Sequence, residues 1–385
     1  MPHRLLFFPD YRQANPYQTL LYRHMAPELL PCPGTIADAL EERRRRTHEE
    51  SVLFHLHWED AIYRNEADDD TAWQAAQRFL DRLERFVGEG GMVVWTIHNA
   101  APHDGRRGAL HAALCRRLAE LADVAHLHSL AGAGWARRHL ELPCERVAVV
   151  PHGNYLPLHR PSGWPQIESR RRLGVPEEAR VLLLFGRLDH YKGGEELLAA
   201  LERLADPRLH LVVAGRQVAP LGLSRHALPG GLTVIDRFVA EEEVAPLFHA
   251  ADAVALPYRA ILTSGTLMLA LSLGRPVLAP AFEPLQEVVR DGREALLYEP
   301  GAPAALETGL RRLAALDPAS LASMQEAASA RAELFDWRQS GLLLSGICSR
   351  LVALRRPKRL LAGSATDEAP AVPQAEDRRF RPAAE

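Results

Sequence analysis

Cysteine is scarce in this 385-residue chain, and what there is has no pattern. Cys32, Cys115, Cys144 and Cys348 show neither the spacing of a metal site nor the density of a disulfide framework. Free thiols in a reducing compartment are the expectation. Long hydrophobic runs are missing as well. No stretch approaches the roughly 20 apolar residues that span a bilayer, and the apolar part of MPHRLLFFPDYRQ is too short for a signal peptide. Charge of one sign is also lacking. The net charge of −3 argues against a dedicated nucleic-acid binder. The expectation is a soluble or membrane-peripheral protein of the cytoplasm.

What is present is a chain long enough for two domains, with 47% hydrophobic residues to fill two cores. Short apolar runs alternate with amphipathic stretches. RLLFF, VLFHLH, MVVWTIH, VAHLHS and VAVVPHG in the first half read as buried parallel strands, because such strands are continuous apolar runs. The pattern pauses at RPSGWP, a predicted linker, and resumes with VLLLFG, LHLVVAG, LTVIDRF, AVALPY, PVLAP and ALLYEP. Helices are predicted between them. One lies around residues 72–87 with Trp73, Phe79, Leu80, Leu83 and Phe86 near one face, and another covers GGEELLAALERLA. Strand–helix alternation of this kind predicts an α/β fold, a doubly wound parallel sheet built twice. The predicted domains are residues 1–160 and 166–335, with a last helix at 336–356 returning to the first domain. Residues 361–385, rich in Pro, Ala and charge, are predicted to be disordered.

Ligands of doubly wound sheets bind at the carboxyl ends of the strands, so residues just after each strand are the site candidates. In the second half the segment YRAILTSGTLMLALSLGRPVLAP reads as strand, tight turn, helix, strand. Ser264, Gly265 and Thr266 stand where the helix begins. A helix N-terminus with hydroxyls and a glycine is a ready anion site. FGRLDHYKGGEELLAAL adds Arg187 and Lys192 on the loop after another strand, and Arg216 follows a third. Cations and a helix N-terminus together suggest a clamp for a departing diphosphate, with no metal required.

In the first half the candidates are Asp10, then His57, Trp58, Glu59 and Asp60, then His98 and His103, then His152. Histidines gathered at strand ends suit contact with a sugar or movement of a proton. Asp10, Glu59 and Asp60 are alternative bases for an acceptor hydroxyl. Trp58 reads as a packing residue or as a platform for an acceptor sugar. Asp68, Asp69 and Asp70 resemble an acidic metal motif, but Asp70 or Thr71 as a helix N-cap is the simpler reading. The run at residues 43–46, flanked by glutamates, reads as a solvated helix face, with attraction to an anionic membrane surface as the sharper alternative.

The second half, through FGRLDHYKGGEELLAAL, VVAGR, ADAVALPYRAILTSGTLMLALSLGRPVLAP and REALLYEPG, resembles the two-domain GT-B glycosyltransferases of group 1 (family 4-like). NPYQTLLY, HLHWED, WTIHNAAPHD and PHGNY in the first half are similar to the bacterial exopolysaccharide mannosyltransferases of the xanthan type. The resemblance implies two Rossmann-like domains facing a cleft. It implies mannose transfer from GDP-mannose to a lipid-linked oligosaccharide at the inner face of the membrane. It assigns the donor diphosphate to Arg187, Lys192 and the Ser264–Gly265–Thr266 turn, places His98 near the donor sugar, and puts a carboxylate at Asp60. Arg216 is added to the donor contacts, and Asp10, His57, Trp58 and His152 to the acceptor side. One departure stands out: many retaining GT-B enzymes carry two glutamates where this chain has Ile261 and Leu269. Ribose recognition then falls to other groups, and inversion and retention both remain open. A UDP-sugar is the alternative donor, and a sugar-nucleotide epimerase or a non-catalytic glycan-assembly partner are the alternative roles.

Overall fold

The computed structural model describes residues 3–47, 50–102, 105–159, 165–218, 222, 227–302 and 304–361. His103, the linker residues 161–164 and the tail 362–385 lie outside the described residues. The chain divides into two compact units, one of residues 1–127, 133–150 and 338 onward, the other of residues 128–132 and 151–337.

Unit 1 holds strands β1 (His3–Phe8), β2 (Leu29–Pro33), β3 (Val52–Leu56), β4 (Met92–Thr96), β5 (Val124–Leu127) and β6 (Val147–Val149) in the order β2-β1-β3-β4-β5-β6, all parallel. Five of the six coincide with the predicted apolar runs. The exception is β2, whose LLPCP carries Pro31 and Pro33. Proline cannot donate to a ladder and is confined to edges, and β2 is an edge strand, so its sequence does not read as a strand.

The helix Asp69–Gly88 buries Ala72, Ala76, Phe79, Leu80, Leu83 and Phe86, the face its periodicity predicts apart from Trp73, which is half-exposed. Its N-cap is Asp68, one step earlier than the expected Asp70 or Thr71. Asp68 accepts from the Thr71 N–H at 2.8 Å, and the Thr71 hydroxyl closes a capping box. The last helix, Trp337–Leu361, packs on the turn after residues 17–22: a Cβ on Gly341 would lie 2.9 Å from His24 Cβ, and Ser345 Oγ accepts the Ala26 N–H. Among the described residues no helix is long and apolar enough to cross a membrane.

Unit 2 holds β7 (Arg180–Phe185), β8 (Leu209–Ala214), β9 (Leu232–Ile235), β10 (Ala253–Ala255), β11 (Val277–Pro280) and β12 (Ala295–Tyr298), again all parallel. The order is β12-β11-β10-β7-β8-β9. Val181, Leu183 and Val254 enter one core, while Leu182, Leu184 and Ala253 enter the other. Both faces are covered, which is why these strands are apolar without alternation.

The order reverses between β7 and β10 in unit 2 and between β1 and β3 in unit 1. Crevices at such switch points are where doubly wound sheets bind ligands.

Beneath β7 and β10 lies a buried pair. Asp252 accepts from Arg170 Nη2 at 2.9 Å and from the Val181 N–H at 2.7 Å. Removing one member leaves the other charge buried without compensation. Asp252→Ala is expected to lower stability by about 3–5 kcal/mol, read as a drop in the denaturation midpoint.

Candidate active site

Three glycines shape the switch point of unit 2. Gly215, at φ +144°, sits where a Cβ would lie 1.8 Å from the Gly186 carbonyl oxygen, and Gly193, at φ +68°, where one would lie 1.8 Å from that of Pro257. Only glycine lets the loops after β7, β8 and β10 touch in this way. At Gly186, φ +102°, a Cβ would come within 3.0 Å of Lys192 Nζ, so this glycine leaves room for the amine.

Lys192 is only 5% exposed. Its Nζ donates to the Phe185 carbonyl at 2.8 Å, lies 3.3 Å from Thr266 Oγ1, and sits 6.0 Å from the centre of the Tyr258 ring. Burial pulls its pKa down to about 8. Ser264 caps the helix Gly265–Ser272, accepting from the Leu267 N–H at 3.0 Å and sharing a 2.7 Å hydrogen bond with the Tyr258 hydroxyl. Lys192, Ser264, Gly265 and Thr266 are therefore brought together. Arg187 is half-exposed and paired with buried Asp189 at 3.5 Å. Arg216 uses its carbonyl to accept the Leu188 N–H, with the residue exposed.

His152, which the sequence reading groups with the acceptor side, packs within unit 2. A Cβ on Gly265 would lie 3.8 Å from His152 Nε2 and 3.1 Å from the Tyr155 hydroxyl. His152 Nδ1 donates to the Gly153 carbonyl at 2.7 Å, and burial lowers its pKa to about 4, so the ring is neutral with its lone pair on Nε2. Ile261 and Leu269 pack on the core of unit 2.

In unit 1, His57, Trp58 and His98 converge. Trp58 stacks on His98 with ring centres 4.1 Å apart and planes 8° from parallel, and Tyr17 meets the His98 edge at 5.0 Å. His57 Nδ1 lies 3.1 Å from His98 Nε2. Trp58 holds φ +32°, a strained value for a bulky residue, at the start of the short helical turn that carries Glu59 and Asp60.

That turn sends the two carboxylates different ways. Asp60 is also largely buried and is paired with Arg64 at 3.2 Å. Arg64 also donates to the Tyr11 hydroxyl, and Tyr11 packs on Trp58. Asp10 is exposed and held by both Arg12 Nε and Nη2 at 2.8 Å, which lowers its pKa. Sequence reasoning passed over Tyr17, Tyr22, Thr96, Tyr155, Asp189 and Tyr258. Asp189, between Arg187 and Lys192, was the one with a positional signal.

The chain as a whole is similar to known proteins. Residues 179–315 match the family described as glycosyl transferases group 1. Over 307 residues the chain is 32% identical to the GDP-mannose:glycolipid 4-beta-D-mannosyltransferase of Xanthomonas campestris pv. campestris, covering 77% of this chain and 79% of that protein. The chain belongs to the group 1 glycosyltransferases. This glycosyltransferase is also 33% identical over 238 residues to the D-inositol 3-phosphate glycosyltransferase of Streptomyces scabiei, covering 58% of this chain and 53% of the relative. Among solved structures it is similar to the sucrose-phosphate synthase of Thermosynechococcus elongatus, with a TM-score of 0.70, 18% identity and coverage of 92% and 100%. It is also similar to Anabaena HepE in complex with UDP and glucose, with a TM-score of 0.63, 17% identity and coverage of 94% and 100%. The GT-B fold expected from the motifs is thereby borne out.

Glu59 of this glycosyltransferase turns inward. Its Oε2 accepts the Trp95 indole N–H at 3.2 Å, and Oε1 lies 3.6 Å from His111 Nε2, itself 3.5 Å from Cys115 Sγ. The three offer one ligand atom each within 4.8 Å of one another. Burial pushes the Glu59 carboxyl up to about 7, the His111 imidazole down to about 4 and the Cys115 thiol well up. Each is driven toward its neutral form, as in a hydrogen-bonded core cluster.

A carboxyl with a raised folded pKa stabilises the fold fully below its unfolded pKa, and that stabilisation is lost as pH rises through the folded value. For Glu59 the window runs from 4.5 to about 7. Glu59→Gln keeps an oxygen for Trp95 and removes the charge. Its stability relative to the parent is expected to rise between pH 5 and pH 8, by up to about 3 kcal/mol, in paired urea titrations.

Proposed function

We propose that this glycosyltransferase moves mannose from GDP-mannose to a hydroxyl of a lipid-linked oligosaccharide in cell-surface glycan synthesis. The observation that carries the reading is the buried Lys192 against Thr266 and the capped Ser264–Gly265 turn, at the switch point of unit 2. The Xanthomonas relative, 32% identical, supports mannose and a glycolipid acceptor.

When the glycosidic bond breaks, the departing nucleoside diphosphate gains negative charge. An ammonium group and a helix N-terminus already fixed in place stabilise that charge without reorganising. Lys192 and the turn at residues 264–266 supply them, and Arg187, half-exposed, adds a second cation. This arrangement takes the part a divalent metal plays elsewhere. Arg216 joins the donor contacts. His152 belongs with the donor side in this proposal, since it abuts Gly265. Ile261 and Leu269, partly buried against the core, offer the ribose no carboxylate, so backbone groups of the 264–266 turn take over.

On the acceptor side, Asp60 is the base. Glu59 faces the core, and Asp10 and Asp60 are each paired with an arginine, but Asp60 stands on the turn that begins at Trp58, which stacks on His98. A base in unit 1 suits inversion at the anomeric carbon. His57 and Trp58 hold the acceptor, and His98 serves the sugar. The enzyme works at the inner face of the cytoplasmic membrane as a peripheral protein.

GDP at a hundred times its dissociation constant should stabilise the protein by about 2.7 kcal/mol. A thermal-shift panel of GDP, UDP, dTDP and ADP is expected to respond selectively to GDP, with the shift lost in Lys192→Ala. A selective UDP shift would overturn the donor and keep the transferase, and no shift with any of the four would overturn the enzyme reading.

The depressed Lys192 pKa gives a second check. A bound diphosphate favours the ammonium form and restores the pKa toward its ordinary value. Between pH 8 and about 10.5, GDP binding is therefore expected to take up a proton and to weaken as pH rises. Calorimetry at pH 9 in two buffers of different ionisation enthalpy reads that uptake; none would remove Lys192 from the clamp.

A further inference from the structure

Unit 1 gathers three different metal-ligand side chains at one point. Glu59 leads the short helical turn Glu59–Ile62, and His111 and Cys115 lie on the helix Gly108–Leu121. A spacing of four residues puts the last two on one helix face. All three residues are no more than 5% exposed. His111 Nε2 is 3.6 Å from Glu59 Oε1 and 3.5 Å from Cys115 Sγ. One oxygen, one nitrogen and one sulfur thus converge within 4.8 Å of one another.

A carboxylate oxygen 3.6 Å from a ring nitrogen is too distant for a hydrogen bond. That separation is close to the edge of a coordination tetrahedron. Bonds of about 2.0–2.3 Å to a central zinc ion set neighbouring donors about 3.3–3.6 Å apart. The 3.5 Å between His111 Nε2 and Cys115 Sγ fits the same figure. Two of the ligands are also aimed by outer partners. The Trp95 indole N–H donates to Glu59 Oε2 at 3.2 Å, with Oε1 turned to the cluster. The Tyr63 hydroxyl lies 2.9 Å from His111 Nδ1, in place to accept the ring proton of an imidazole bound through Nε2. Hydrogen bonds of this outer kind fix the tautomer and the carboxylate orientation at metal centres. Thiolate with imidazole suits zinc, whereas calcium and magnesium take oxygen ligands.

We infer that Glu59 Oε1, His111 Nε2 and Cys115 Sγ form a site for a zinc ion, filled as unit 1 folds. Three protein ligands leave one position of the tetrahedron to water. On binding, Cys115 gives up its thiol proton to solvent, and the ion offsets the charge of thiolate and carboxylate at that depth. The neutral cluster is the metal-free form of the site, and the pH response expected of Glu59→Gln belongs to that form. With all three ligands buried, the ion's role is to tie the turn Glu59–Ile62 to the helix Gly108–Leu121, not to meet substrate. Trp58, at φ +32°, and Asp60 flank Glu59, so the tie fixes the backbone that carries both. The site stands independently of the reaction. Its consequence for Asp60 rests on the proposed role of that residue as base.

The test is the metal content of the full chain, made without a histidine tag in minimal medium supplemented with zinc or with cobalt. After dialysis, zinc-grown protein should hold about one zinc per chain by elemental analysis. Cobalt-grown protein should show thiolate-to-cobalt charge-transfer absorption and the visible bands of a tetrahedral site. Cys115→Ser should abolish the charge-transfer absorption and His111→Gln should remove the ion, whereas Cys144→Ser, at an exposed thiol, should change neither. Should the two ligand variants fail to fold, Tyr63→Phe keeps all three ligands and should bind the ion about ten- to hundredfold more weakly in competition with a chelator. Wild type without bound metal, or an ion held unchanged in Cys115→Ser or in Tyr63→Phe, overturns the inference. In turnover, Cys115→Ser should lower kcat roughly tenfold or more, with KM for the donor within about twofold; an unchanged kcat with the ion gone would overturn the part given to the turn. Metal content is read without substrate, so a zinc-loaded chain that transfers no mannose would sink the proposed function and leave the site standing.

Discussion

A primary amine kept almost wholly from water is the constraint on which unit 2 is organised. Lys192 cannot be buried unless something solvates its proton-bearing end, and here the Phe185 carbonyl, the Thr266 hydroxyl and the Tyr258 ring do so. Those partners come from the ends of β7 and β10, which must meet closely enough to enclose one ammonium group. Glycines at 186, 193 and 215 make that approach possible, and the Arg170–Asp252 pair ties β7 to the chain entering β10. The site is therefore a property of the sheet's switch point and not an addition to it.

Unit 1 answers a different demand. Its central strands carry His55, Thr96 and His126 within a sheet that is otherwise apolar. Polar groups at such depth persist only when each is matched by another. Thr96 Oγ1 lies 2.7 Å from His55 Nε2 and 2.9 Å from His126 Nδ1, and the Tyr63 hydroxyl lies 2.9 Å from His111 Nδ1 beside Glu59, Trp95 and Cys115. In the set around Glu59, burial drives the carboxyl, the His111 imidazole and the Cys115 thiol each toward the neutral form.

Most of the fold was legible because parallel strands buried on both faces leave long apolar runs, and eleven of the twelve strands stand on such runs. β2 escaped because two prolines mask an edge strand. The Ser264–Thr266 turn and Lys192 were legible because glycine, hydroxyl and cation stand at fixed places after strands. Glu59 and Asp60 were not separable: neighbours on a helical turn face different ways, and only the backbone at Trp58 decides which faces the core. His152 packs in unit 2 although it follows a first-half strand, because chain order says nothing of which compact unit a connecting segment packs against. Tyr22, Thr96 and His126 gave no signal, since a residue that works by pairing with another distant in sequence looks ordinary until the two are brought together.

The division of the chain has a consequence for biosynthesis. Apart from residues 128–132, unit 2 is an insertion: unit 1 is left at Val150 and resumed only at Arg338, one residue into the helix that packs on the turn around His24. A ribosome makes most of unit 1 first yet delivers its closing helix last. The unit made first is thus the last to be completed, and its turn around His24 stays uncovered by that helix while most of unit 2 is being synthesised. Unit 2, by contrast, has its final residue, Trp337, seated on Gly153 and donating to the Asn154 carbonyl. It can close as soon as its own last residue emerges.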